Sequence, residues 1–428
     1  MLAWTVFAAD LQIRSPGLAI LPSLICTELA NMQSETLVRR GVNTAAVVKA
    51  IAAVVGNVCR PVPLHEPQFT GNEWAYVKRC LDDGWVSSAG PFVEQFEQAL
   101  AARCETQAAV ATVNGTAALH LALHLVGVRP NDEVIVPTLT FVATANAVTY
   151  CGAVPHFVDS EIQSLGIDPA ALERHLRLIV DIENGVAVNR QTGRVVRACV
   201  PVHVFGHPSN MEGLARVCGE LNIALVEDAT EALGSLYRGR PCGGLSRIGV
   251  LSFNGNKVVT TGGGGAVVTN DRNLAARAKH LSTTAKLDHP WAFLHDEIGW
   301  NYRLPNINAA LGLAQLEELD TFLAAKRRLA ARYAEVLHGL PGVRFVNEPK
   351  GTTSNYWLTA ILLDDDSGEA RDRILEATHA AGFLTRPAWN PMHTLPMFTA
   401  SPRADTTIAD SIQRRLVNLP SSAILGMG

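Results

Sequence analysis

The chain has 428 residues, of which 48% are hydrophobic and 18% are charged, with a net charge of -4. This balance permits a large buried core, argues against a disordered chain, and at this length favours more than one domain. It offers no basic surface for nucleic acid, and the eight cysteines form neither a CxxC pair nor zinc-finger spacing, so we expect reduced thiols in a cytoplasmic protein.

The first part of the chain is predicted to be separate from the main fold. Residues 1–31 are apolar but are interrupted by charges and prolines, and no uncharged run reaches the ~20 residues of a membrane helix. We therefore predict no signal peptide and no membrane span there. A helix is expected over 36–56, a proline-rich loop over 60–71, and further helices at 72–83 and 91–103.

From residue 109 onward, short apolar strands alternate with amphipathic helices. This alternation predicts an α/β fold with a mainly parallel central sheet and helices on both faces. The expected strands are 109–113, 133–137, 154–159, 196–205, 223–228, 249–253 and 264–269, and the expected helices are 116–126, 140–150, 169–178, 210–221 and 306–338.

The C-terminal part of the chain has a different pattern. A strand-like run at 356–363 and a helix over 369–381 predict a smaller α+β domain there. We accordingly divide the chain into an N-terminal extension and helix at 1–59, a large α/β domain at 60–315, and a small C-terminal domain at 316–428.

Polar residues follow several predicted strands, at the edge where parallel sheets bind ligands. Gly115 and Thr116 begin the helix after the first strand, where free backbone N–H groups and the helix dipole favour an anion such as phosphate. Gly115 permits close approach and Thr116 adds a hydroxyl donor. An ordinary helix start explains this pair equally well when it is taken alone.

Asp228 ends the strand 223–228, which begins with four apolar residues. A carboxylate in that position costs free energy unless it is paired, although a helix-capping aspartate is the simpler alternative. The ring nitrogen of pyridoxal phosphate is a suitable partner, because protonation there makes the ring an electron sink. Glu231, three residues later, is placed to reach the phenolic oxygen of the same cofactor.

Ser252 and Lys257 belong to the next strand and its exit loop. Ser252 can donate to a phosphate, and a lysine at a strand end beside flexible loops suits a Schiff-base or general-base role. A solvated surface lysine is the alternative. The glycines at 262–265 predict a tight hairpin that leaves room for a bulky ligand, since neither GxGxxG nor GxxxxGK[ST] is present. Together with the helix start and Asp228, these residues predict a pyridoxal phosphate enzyme that moves amino groups.

Five runs of residues extend this interpretation: NGTAALHLAL, VPTLTFVATANAV, EDATEALGS, SFNGNK and NYRLPNINAALG. Over roughly residues 60–428 the chain resembles the DegT/DnrJ/EryC1/StrS family of sugar aminotransferases. The resemblance implies the fold type I architecture of pyridoxal phosphate enzymes. It also implies a homodimer with active sites at the interface.

The resemblance assigns roles to the matching residues. Lys257 matches the Schiff-base lysine that also carries the Cα proton, and Asp228 matches the partner of the pyridine nitrogen. Glu231 matches a position near the ring oxygen that usually holds glutamine, so it is a departure. The other matches are Thr116 and Ser252 at the phosphate, Gly115 beside them, Phe141 stacked on the ring, and Asn301, which reaches the phosphate of the neighbouring subunit's cofactor.

The segment 283–306 resembles one branch of the family more closely. That branch aminates the C4 keto group of UDP-linked 4-keto-6-deoxy sugars on routes to bacillosamine, legionaminic acid and related surface sugars, and glutamate is the implied amino donor. Ser87 and Ser88 precede a helix in a turn expected near the sugar. His393 lies with Trp389 on a proline-rich loop expected to close over the nucleotide sugar, although a structural histidine is an equally good interpretation.

Three other functions compete with this one. A related pyridoxal phosphate-dependent sugar dehydratase is disfavoured, because such enzymes resemble this chain but carry histidine where it has Lys257. A cofactor-binding regulator without turnover lacks support from any DNA-binding pattern or basic patch. A generic Rossmann nucleotide-binding protein is disfavoured by the missing phosphate fingerprint.

Overall fold

The computed structural model describes residues 42–56 and 61–427. The predicted extension at 1–31 and the first residues of the helix predicted at 36–56 lie outside the described residues. The helices are α1 Thr44–Val55, α2 Glu73–Asp82, α3 Pro91–Arg103, α4 Gly115–Leu125, α5 Val142–Tyr150, α6 Pro169–Ile179, α7 Met211–Glu220, α8 Arg272–Ser282, α9 Asn306–Glu317, α10 Leu319–Leu337, α11 Glu369–Ala380 and α12 Thr407–Arg415.

The strands follow the alternation expected from the sequence. They are β1 Ala108–Thr112, β2 Glu133–Pro137, β3 Val154–Val158, β4 Val180–Glu183, β5 Val186–Asn189, β6 Val196–Cys199, β7 Ala224–Asp228, β8 Leu236–Tyr237, β9 Arg240–Pro241, β10 Ile248–Ser252, β11 Gly265–Thr269, β12 Val343–Phe345, β13 Thr352–Thr353, β14 Thr359–Leu363, β15 Arg386–Pro387 and β16 Leu416–Leu419.

A seven-stranded sheet, in the order β1-β11-β10-β7-β6-β2-β3, forms the centre of the molecule. Strand β11 runs antiparallel to β1 and β10, and the remaining neighbours are parallel. The carboxyl ends of β1, β7 and β10 therefore meet at one edge, where a parallel sheet places its ligands. The predicted α/β fold class is confirmed.

Helices cover both faces of this sheet because its strands are apolar on both sides. In β2, Val134 and Val136 pack into a cluster with α4, α5 and α8. Ile135, between them, faces the opposite side and packs with α6 and α7. This alternation follows from the two-residue period of a strand.

A second sheet, in the order β12-β14-β16-β15, is antiparallel and belongs to the C-terminal part. Helices α1, α10 and α11 pack on it, with Ile51, Tyr333 and Ile374 in one buried cluster. The helix predicted at 306–338 is in fact two helices, α9 and α10. The predicted domain boundaries at residues 60 and 316 stay a prediction.

Two predicted strands are shorter than expected. The run at 196–205 is a regular strand only to Cys199, keeps one bridge from Val202 to Asp228 of β7, and then enters a turn in which Phe205 adopts a left-handed φ of 56°. The run at 356–363 joins its sheet only at Thr359, after Tyr356 adopts a φ of 46°. In each run, apolar residues outside the regular strand are buried, as Phe205 and Trp357 show. No helix in the described part of the chain is long and apolar enough to cross a bilayer.

Candidate active site

A cavity of ≈ 320 Å³ opens at the carboxyl ends of β1, β7 and β10. Topology brings these ends together, so residues that are distant in sequence share one space. The lining includes the predicted residues Gly115, Thr116, Phe141, Asp228, Glu231, Ser252 and Lys257, together with Trp389 and the unpredicted Thr144 and Trp357.

The start of α4 forms one wall of the cavity. Asn114 caps the helix by accepting the N–H of Ala117 at 2.8 Å, which leaves the first N–H groups of the helix directed outward. A Cβ on Gly115 would lie 2.9 Å from Cβ of Ser252, so glycine is needed for this close approach. The wall therefore offers backbone N–H groups and the Thr116 and Ser252 hydroxyls to an anion.

Asp228 is buried on the cavity wall, with 1% of its surface exposed. Its Oδ2 accepts the hydroxyl of Thr144 at 2.9 Å, and its Oδ1 accepts the N–H of Thr230 at 3.2 Å. Both donors are neutral, and no lysine, arginine or histidine of the described chain forms an ion pair with this carboxylate. A cationic group entering the cavity would therefore be stabilised beside it.

Lys257 lies opposite, on the exit loop of β10. Its Nζ is 3.4 Å from Oε1 of Glu231 and 3.8 Å from the centre of the Trp357 ring. The Trp357 indole N–H donates to the carbonyl of Asn256 at 2.6 Å, which ties the ring to the residue before the lysine. The amine is thus held between a carboxylate and an aromatic face.

Glu231 is a carboxylate with few donors. Burial is the main cause that raises the pKa of Glu231, to about 6, and nearby Asp228 adds to the effect. The charge of Lys257 and the Phe205 N–H, which donates to Oε2 at 2.8 Å, oppose it but do not cancel it. The side chain therefore keeps its proton to a higher pH than a solvated glutamate does.

Aromatic rings line the mouth of the cavity. The ring of Phe141 is 54% exposed and lies 6.5 Å from Trp389, which in turn is 4.9 Å from Phe205. Phe205 lies 6.4 Å from Trp357, so the rings continue inward to Lys257. A planar ligand entering here would meet ring faces on its way to the amine.

Four predicted site residues do not line this cavity. Asn301 and Ser87 are exposed and Ser88 is half-buried. His393 is 8% exposed, and its Nδ1 lies 2.8 Å from the hydroxyl of Thr138, so it fixes its loop against the end of β2. The roles of all four stay predictions.

Sequence reasoning missed Thr144 and Trp357. Thr144 lies in the run VPTLTFVATANAV, where an aspartate-binding hydroxyl has no local signature. Trp357 was included in a predicted strand, and only the late start of β14 turns its ring toward Lys257. Each residue contacts a partner that is distant in sequence: Thr144 contacts Asp228, and Trp357 contacts Lys257.

Comparison with known proteins is consistent with this site. Residues 67–427 match the model of the DegT/DnrJ/EryC1/StrS aminotransferase family. The chain is similar to GDP-perosamine synthase of Escherichia coli O157:H7, with 39% identity over 84% of this chain and 93% of the relative. It is also similar to EpsN of Bacillus subtilis, which carries the name of a pyridoxal phosphate-dependent aminotransferase, with 37% identity over 85% of this chain and 92% of the relative. The crystal structure of DesI in the presence of its TDP-sugar product is 30% identical, has a TM-score of 0.74, and covers 87% of this chain and 91% of that one.

Proposed function

The chain belongs to the DegT/DnrJ/EryC1/StrS aminotransferase family, and from that premise we propose that it moves an amino group from glutamate to the C4 keto carbon of a nucleotide-linked 4-keto-6-deoxy sugar. The product would be an amino sugar for a surface glycan. The observation that carries the proposal is a single cavity that joins an anion-binding helix start, a buried carboxylate without an ion-pair partner among the described residues, and a lysine amine.

The enzyme is pyridoxal phosphate-dependent, and the cavity suits that cofactor. The carboxylate of Asp228 has no cationic partner in the described part of the chain and would hold the ring nitrogen. The start of α4, with Thr116 and Ser252, would hold the phosphate, and Phe141 would cover the ring. When bound, the cofactor supplies an electron sink for the carbon that loses its proton.

The chain's own residues supply the proton transfer and the orientation. Lys257 would anchor the cofactor through Nζ and then, as a free amine, carry a proton at that atom. Thr144 and the N–H of Thr230 orient the Asp228 carboxylate, one on each oxygen. Trp357 and Glu231 limit where Nζ can lie and keep water away from it.

The nucleotide is proposed from the relatives. The E. coli relative is named for a GDP-linked amino sugar, and DesI for a TDP-sugar product. These names favour a GDP-linked sugar as the first substrate and give no support to the UDP-linked sugar expected from the segment 283–306. The UDP-linked sugar is therefore kept as the alternative substrate.

The residues outside the cavity fit a homodimer. Asn301 and Ser87 are exposed, and the segment before Asn301 exposes Trp291, Phe293 and Ile298 by more than four-fifths of their surface. Such apolar exposure is typical of a surface that a partner covers. In a dimer, Asn301 of a second copy would reach the cofactor phosphate. Ser87, Ser88 and the loop of His393 would approach the sugar.

The described cysteines bear on the location of the enzyme. All six are free thiols, and five of them are buried. Unpaired thiols are typical of a reducing compartment, so we propose that the enzyme acts in the cytoplasm.

The test is turnover of defined substrates. Purified enzyme with glutamate is mixed with the GDP-linked or UDP-linked 4-keto-6-deoxyhexose, and amino sugar and 2-oxoglutarate are followed by mass spectrometry. We expect both products, with kcat/KM at least about tenfold higher for the GDP-linked sugar. Loss of a sugar oxygen without an amino product would instead indicate a dehydratase. A coloured protein that forms no product and does not respond to glutamate would indicate a regulator.

A further inference from the structure

Glu231 is the carboxylate of the cavity wall that contacts the Lys257 amine. It is 4% exposed, and its two carboxylate oxygens have different surroundings. Oε2 accepts the N–H of Phe205 at 2.8 Å, whereas Oε1 lies 3.4 Å from Nζ of Lys257. One oxygen is therefore fixed by the backbone, and the other is left facing the amine.

The charged groups that face Glu231 are few. Lys257 approaches from the exit loop of β10, and Asp228 lies at the end of β7. The turn at Phe205 contributes one N–H, whereas Nδ2 of Asn355 donates to the backbone carbonyl of Glu231 at 2.9 Å and not to its carboxylate. With one cation and one like charge nearby, a buried carboxylate has little to offset its desolvation.

We propose that Glu231 is the proton acceptor that converts the Lys257 ammonium into the free amine. In this step the Nζ–H bond breaks, an Oε1–H bond forms, and both side chains become neutral. Burial lowers the cost of the change, because two desolvated charges are replaced by none. The inference rests on the proposed function, since an acceptor is needed only if the amine reacts.

The pKa of Glu231 near 6 sets the range in which this acceptor works. Above that pH the carboxylate is free to take the proton. Below it, Oε1 already carries one and the transfer stops. The variant Glu231→Gln isolates the effect, because its amide oxygen can still accept the Phe205 N–H but cannot take up a proton.

The experiment measures how fast the apoprotein captures pyridoxal phosphate, using the absorbance of the borohydride-fixable product between pH 5 and pH 8. In the wild type we expect the rate to fall about tenfold per pH unit below the Glu231 pKa. In Glu231→Gln the plateau above this limb should vanish, because the ammonium can lose its proton only to solvent and the rate keeps rising about tenfold per pH unit up to pH 8. The rate at neutral pH should be ~10²-fold lower, the low end of what a positioned proton acceptor contributes. The amount captured at saturation should be the same.

Infrared difference spectra of the apoprotein give an independent measurement. A protonated-carboxyl band should titrate near pH 6 in the wild type and be missing from Glu231→Gln. This titration on the wild-type protein keeps the test valid if the variant folds poorly. A wild type without the band would overturn the inference.

The variant Lys257→Ala separates the two proposals. If it still captures borohydride-fixable cofactor, the proposed function itself is wrong. If it captures none while Glu231→Gln keeps the wild-type pH profile, with its plateau above pH 6, the function stands and only the role of Glu231 is overturned.

Discussion

Buried carboxylates lie at both the amino and the carboxyl ends of the strands of the central sheet. The two sites differ in how many hydrogen-bond donors surround the carboxylate. At the amino end, Glu133 begins β2 and accepts hydrogen bonds from Asn189 and Thr192 at 2.9 and 2.6 Å. Nδ1 of His156 lies 2.8 Å from the same carboxylate. At the carboxyl end, Glu231 has one backbone N–H and the more distant Lys257.

The pKa shifts of the two carboxyls go in opposite directions. Burial raises the pKa of both, but at Glu133 the hydrogen bonds from His156, Thr192 and Asn189 outweigh burial and the net pKa is lowered. At Glu231 burial wins, and the pKa rises to about 6. A buried carboxylate whose donors are all supplied by its own fold is held as a structural anion. One with an incomplete set stays available for chemistry.

The largest expected difference between the two ends concerns activity. Replacing Lys257 by Met should reduce kcat/KM by at least ~10⁴-fold, because both the anchor and the proton carrier are lost. Lys350→Met, at an exposed lysine, is the matched control and should retain wild-type activity. Steady-state assays of aminated product measure both variants. Equal losses of activity would show that Lys257 has no special role in the reaction.

Asp228→Asn should come next. We expect a fall of about 10³-fold in kcat/KM, since the neutral amide cannot hold a protonated ring nitrogen. The free energy of unfolding of the apoprotein should change by less than about 1 kcal/mol, because the lost charge has no cationic partner in the described chain. Urea titration of the apoprotein measures stability, and the kinetic assay measures activity. A fall in stability together with activity would contradict the proposed role of Asp228.

Glu133→Gln should have the reverse effect. Here the free energy of unfolding should fall by about 3 kcal/mol, because the amide breaks a buried set of three hydrogen bonds. Activity per folded molecule should remain that of the wild type. A stable but inactive variant would mean that the two ends of the sheet do not divide their roles as proposed.

The smallest effect is a pH dependence at the amino end. Nε2 of His175 lies 2.8 Å from Nε2 of His156, so only one of these facing nitrogens can carry a proton. Burial, aided by His156, lowers the pKa of His175 from 6.5 to about 4. Between those values the unfolded chain binds more protons than the folded one, so stability is full above pH 6.5 and falls as the pH drops toward 4.

In His175→Asn, the fall in the free energy of unfolding between neutral pH and pH 4.5 should be smaller by about 2 kcal/mol. This figure allows for the partial exposure of His175. His338→Asn, at an exposed histidine, is the control. Unfolding by urea at pH 6.8 and pH 4.5 measures the difference. Identical pH slopes in the two variants would show that the histidine contact does not control stability at this end.

The sequence predicted most elements of the central sheet because apolar runs alternate with helical periods along the chain. Strand β2 coincides with the predicted 133–137, and β7 lies within the predicted 223–228. The alternation alone could not show that β6 stops at Cys199, because the apolar residues that follow are buried in a turn instead of a strand. A run of apolar residues indicates that the segment is buried, but it does not indicate whether the backbone continues as a strand or turns.

By itself the sequence determined which polar groups stand at the strand ends, and the parallel topology that follows from the alternation explains why Asp228, Ser252 and Lys257 share a cavity. Only the tertiary structure decided how those groups behave. Thr144 reaches Asp228, Trp357 covers Lys257, and the Phe205 turn gives Glu231 its one N–H, each from a segment distant in sequence. The charge state of a buried carboxylate depends on the number of such donors, and local sequence cannot supply that number.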